Sequence, residues 1–190
     1  VTPTTRNRLK LLGIAAVAIA PIVGSYLLYW FWLPGQQTNY GTLISPRSVP
    51  EMSVPLVDGT AFSMKQLRGR WALVVVDSGE CAKECQEKLW KIRQVRLTQG
   101  KEMGRIERVW LIDDDRPPSA ELLTEHAGAW AVKALPGPLL SAVEAKGRNP
   151  RDHIYLVDPL GYVMMRFPPA AEPRGMMKDL GRLLKYSRTG

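Results

Sequence analysis

WALVVVDSGECAKEC, residues 71–85, opens on six consecutive apolar residues and closes on the only two cysteines of the chain. Trp71 to Val76 is continuous, apolar and rich in β-branched residues, the signature of a strand buried on both faces of a sheet. Asp77-Ser78-Gly79-Glu80 then breaks the run with turn residues. From Glu84 to Thr98 the apolar positions Leu89, Trp90, Ile92, Val95 and Leu97 recur at helical spacing. The cysteines therefore stand at a strand-to-helix junction. In an open α/β sheet, chemistry gathers beyond the carboxyl end of a central strand.

Outward from this unit the pattern alternates. Arg108 to Ile112 reads as a second buried strand ending in Asp113-Asp114-Asp115, and Ser119 caps a helix expected over about 120–131. Residues 135–150 are looser. Ile154 to Val157, the turn Asp158-Pro159-Leu160-Gly161, and Tyr162 to Phe167 form a β-hairpin signal, and Met176 to Tyr186 is a closing amphipathic helix. On the near side, Val54 to Val57 before Asp58-Gly59 predicts a short strand and turn, and Ser63 to Leu67 a helical turn. Strands and helices in this order give an α/β sandwich with a mixed central sheet, in thioredoxin-like sequence.

Upstream, Leu11 to Leu33 carries no charged residue, long enough to cross the hydrocarbon core, which takes about 20 helical residues. Pro21 falls within the span, and Tyr26, Tyr29, Trp30, Phe31 and Trp32 crowd its far end like an interfacial aromatic belt. Arg6, Arg8 and Lys10 precede it, and no lysine or arginine follows until Arg47. By the positive-inside rule residues 1–10 are cytoplasmic and the bulk of the chain lies outside. Ala16-Val17-Ala18 resembles a signal cleavage site, but the apolar run continues far past it, longer than a signal peptide's core of about 7–15 residues. An uncleaved single-pass anchor over 11–33 is expected. In a bacterium it sits in the inner membrane, with a tether over 34–49 and a periplasmic domain over 50–190.

With 45% hydrophobic and 23% charged residues the composition is that of a globular domain. The net charge of +8 is scattered among acids, with no arginine-rich run or aromatic stacking motif, so nucleic-acid binding is not expected. Beside a membrane such a surface suits anionic lipid or an acidic protein. No Ser-His-Asp set, phosphate loop or paired carboxylates point to hydrolysis.

Cys81 and Cys85 carry the chemistry. As a staple they are poor, because closing a loop of about five residues stabilises by only about 2 kcal/mol. Cβ atoms at i and i+4 of a helix lie about 5–6 Å apart, whereas a disulfide needs about 3.8 Å. A bond thus requires Cys81 to precede the regular helix or the first turn to distort. Two thiolates on one metal ion tolerate the wider spacing, and a sulfur pair suits Cu(I). Reversible redox stays open beside metal binding. Lys83 and the helix start favour thiolates, and Glu80 and Glu84 oppose them. Among other candidates, His126 reads as a surface or cap residue and the three aspartates as a solvated turn. Met164, Met165, Met176 and Met177 read as core.

In order along the chain, the anchor, FSMKQLRGRWALVVV, the Cys-x-x-x-Cys at 81–85, LIDDDRPPSAELL and YLVDPLGYV at 155–163 resemble the Sco (SenC) family. These are membrane-anchored, thioredoxin-like factors in copper delivery to cytochrome c oxidase. The resemblance implies Cys81 and Cys85 as thiolate ligands of copper, with a histidine as third. The family's histidine position holds Pro150 here, and His153, three residues on, is the candidate. Where the family has Pro and Asp between the cysteines, this chain has Ala82, Lys83 and Glu84. The implied role is assembly of the respiratory oxidase, by Cu(I) binding and delivery or by keeping a target's cysteines reduced. The partner would be an oxidase subunit or another periplasmic assembly factor. Two alternatives stand beside it, a membrane-anchored thiol–disulfide oxidoreductase without a metal, and an assembly factor that only binds partners.

Overall fold

The computed structural model describes residues 3–31, 39–143 and 149–187. Two compact units result, divided between Thr38 and Asn39. The first is one helix, α1 (Pro3–Phe31), with Pro21 inside it. Its segment Lys10–Phe31 is long and apolar enough to cross a membrane, with none of it buried. Residues 32 and 33 of the expected span, and 34–38 of the expected tether, lie outside the described residues.

The second unit is a thioredoxin-like α/β sandwich. Its strands are β1 (Thr42–Ser48), β2 (Val54–Pro55), β3 (Ala61–Phe62), β4 (Trp71–Asp77), β5 (Ile106–Ile112), β6 (Trp130–Lys133), β7 (Ile154–Val157) and β8 (Tyr162–Phe167). The main sheet has the order β1-β8-β7-β4-β5-β6, and β2 and β3 form a separate hairpin. β4 runs parallel to β5, with Val75 beside Trp110, and antiparallel to β7, with Val75 beside Ile154. The sheet is therefore mixed, with β4 near its centre.

Helices α2 (Lys83–Leu97), α3 (Ala120–Glu125) and α5 (Pro173–Tyr186) contribute Leu89, Ile92, Val95, Leu122, Met176, Leu180 and Leu184 to one apolar layer. That layer also takes Leu73 and Val75 from β4. The other face takes Ala72, Val74 and Val76 and packs them with Phe62, Met64, Leu67 and helix α4 (Pro138–Val143). Every residue from Trp71 to Val76 is buried because both faces are covered.

Three expectations change. Thr42–Ser48, read as tether, is the edge strand β1, paired with β8. It is pinned through its neighbour Gly41, whose N–H donates to the buried Asp179 Oδ2 on α5 at 2.7 Å. Tyr40 packs against Gly175, and its hydroxyl accepts from the Glu172 N–H. The Ser119-capped helix ends at Glu125 rather than near 131. Gly128, with φ +80°, turns the chain back so that Trp130–Lys133 can join the sheet as β6. His126 is the C-cap of α3, as expected, but it is buried and not on the surface. Within the looser stretch α4 forms, and residues 144–148 lie outside the described residues. Met165 and Met176 are core, and Met164 and Met177 pack against it.

Candidate functional site

β4 delivers the chain at its carboxyl end into the 78–81 turn, and α2 leaves from it. Cys81 lies ahead of the helix, in the left-handed region with φ +45°. For a residue with a Cβ this costs about 1–2 kcal/mol. It is held there by its own N–H donating to Ser78 O (3.1 Å) and by Gln86 Nε2 donating to Cys81 O (2.9 Å). This departure from helical geometry resolves the spacing problem. The Cα atoms come to 5.1 Å, and Cys81 and Cys85 are joined as a disulfide. Both residues are fully buried, at 0 and 1% exposure, in the layer with Leu89, Ile112 and Ile154.

The N-cap of α2 is Ala82, which supplies no side-chain hydrogen bond. The leading N–H groups of α2 thus have no side-chain partner from the cap. One turn beyond Cys85, Lys88 is buried on the same helix. Its Nζ pairs with Asp77 Oδ2 at 2.6 Å and donates to Arg151 O at 2.6 Å and Val76 O at 3.3 Å. This buried ion pair was not singled out in the sequence. A lysine inside the apolar stripe of Cys85, Leu89, Ile92 and Val95 was the available signal.

The three aspartates are not a simple solvated turn. Arg151 Nε and Nη2 donate to Asp113 at 2.8 and 2.6 Å, a two-pronged pair that holds the guanidinium pKa above its ordinary value. Asp114 Oδ1 accepts from the Gly79 N–H at 3.0 Å and from the Arg116 N–H at 3.3 Å. Partial burial pushes the Asp114 carboxyl up, but these hydrogen bonds and the Arg151 charge outweigh it, leaving it below the usual range. Arg116 pairs with Glu80 at the surface.

His153 is buried and extended just before β7, and its ring lies 6.0 Å from that of Tyr155, which packs in the layer with Val74 and Val76. Among the described residues no group of three or more His, Cys, Asp or Glu is placed to hold a metal ion. The donors at the site are two sulfurs.

Residues 71–187 match the family model described as a transmembrane-like, thioredoxin-like, C-terminal domain. Comparison with curated proteins returns no match. Among solved structures, yeast Sco1 with copper bound is similar at a TM-score of 0.62 and 18% identity, over 76% of this chain and 96% of that one. A SCO1/SenC family lipoprotein from Bacillus anthracis gives 0.56 and 16%, over 75% and 99%. A thiol:disulfide interchange protein of the thioredoxin family from Chlorobium tepidum gives 0.53 and 20%, over 75% and 96%. At these identities the likeness establishes the fold.

Proposed function

The chain belongs to the transmembrane-like, thioredoxin-like family, and from that membership we propose a membrane-anchored, Sco-like thiol protein whose Cys81–Cys85 pair alternates between disulfide and dithiol. The observation that carries this reading is the position of the pair. It closes at the carboxyl end of the central strand, with Cys81 held outside the helix and the uncapped start of α2 beside it. A dithiol partner reduces it by attack on one sulfur, release of the other and resolution of the mixed disulfide. Two electrons pass to Cys81 and Cys85, and the partner leaves oxidised.

A second reading is favoured by similarity to structures solved with copper bound. In it the reduced pair offers Cu(I) two soft sulfur ligands. His153 is the candidate third ligand. Both uses fit assembly of a cytochrome c oxidase copper centre on the outer face of a bacterial inner membrane, with α1 as single-pass anchor. Titrating the reduced full chain in detergent with Cu(I) against a competing chelator separates the two readings. One-to-one binding lost in Cys81→Ser supports copper handling, and weakening in His153→Ala assigns the third ligand. No binding above that of Cys81→Ser, with turnover of a disulfide substrate, leaves thiol exchange as the function.

A further inference from the structure

Resting on that thiol chemistry, we infer that the 113–118 turn is a gate on the cysteine pair, which reacts only in an opened form where Asp114 has released the 78–80 backbone. A thiolate must touch a disulfide sulfur to exchange with it, yet Cys81 and Cys85 are both fully buried. One side of the pair has little freedom to move. α2 is fixed by Leu89, Ile92 and Val95 in the core and by Lys88 on Asp77. The movable side is the 78–81 turn, which carries Cys81 in its strained left-handed conformation.

The 113–118 turn holds that segment down. Asp114 accepts from the Gly79 N–H, and is itself fastened by the Arg116 N–H and by Arg151 at 3.6 Å. The two backbones touch at Gly79, where a Cβ would fall 1.7 Å from the Arg116 carbonyl oxygen. Arg116 and Glu80 form the outer latch, two-thirds exposed on each side. An exposed pair contributes little by itself, so the hold resides in Asp114 and in the Gly79 contact. Local openings of this kind set the rate at which a buried group reacts.

The test is the rate at which dithiothreitol reduces the oxidised full chain in detergent, read by trapping free thiols and weighing the protein. Asp114→Ala is expected to speed reduction about tenfold, the effect of about one lost hydrogen-bonded hold, and Gly79→Ala, whose Cβ does not fit against the Arg116 carbonyl, to speed it at least as much. Arg116→Gln is expected to change it less than about twofold. Amide exchange at Gly79 and Glu80 should rise about tenfold in Asp114→Ala while the melting temperature of the oxidised protein falls by only a few degrees. Equal rates in the wild type and both faster variants would overturn the gate. If the folded chain still reaches a reduced end point, the thiol reading stands without it. If reduction in every variant proceeds only as the domain unfolds, both readings fall.

Discussion

His126 shows how one buried side chain ties stability to pH. Among the described residues neither of its ring nitrogens has a hydrogen-bond partner. Burial lowers its pKa first; Glu125 opposes the shift and the Arg108 and Arg93 charges add to it. Arg93 and Arg108 are fixed there by donating to the carbonyls of Glu125 and Ala127. The unfolded chain then binds a proton at the ordinary histidine value of about 6.5, while the folded chain resists it. Stability from this group is complete above that value and falls as pH drops through it. The melting temperature of the wild type is expected to decline between pH 8 and 5.5, and more steeply than that of His126→Gln. Parallel profiles would contradict it.

At the scale of elements, β4 and α2 act as one device, joined at Cys81–Cys85 and again at Asp77–Lys88. Removing one member of a buried ion pair strands the other, at about 3–5 kcal/mol. Asp77→Ala leaves Lys88 buried without its carboxylate, so denaturant unfolding should lose about 3 kcal/mol. Lys88→Met should lose less, since Asp77 retains the Ser78 N–H and sits near Arg151. The strand and helix themselves were legible in the sequence, because β4 is apolar on both faces and α2 has a regular stripe. The hairpin of β7 and β8 was equally plain from Asp158 to Gly161. What escaped were features set by distant partners. β1 is mostly exposed and reads as a loop until Asp179 and Tyr40 fasten its neighbours to α5. β6 follows Gly128 so closely that helix and strand merge in the pattern. The cysteines were legible as a candidate site at the strand-to-helix junction. Their bonding was not, since it depends on the positive φ of Cys81.

For the whole molecule, the consequence proposed for α1 is attachment to a membrane. The full chain is expected to stay with membranes through alkaline carbonate washing, and a chain beginning at Asn39 to be released. Release of both would contradict an anchor. The domain that begins there carries its own core on both faces of the sheet, so the disulfide should form in either version.

The central claim is that Cys81 and Cys85 form a reversible couple in a folded domain. The most direct measurement equilibrates the full chain in detergent with graded ratios of reduced and oxidised dithiothreitol, then counts trapped thiols while circular dichroism follows the fold. The expected result is a single two-electron transition, absent in Cys81→Ser, with the fold intact throughout. Thiols that appear only when the circular dichroism signal is lost would make the disulfide a structural staple and contradict the claim.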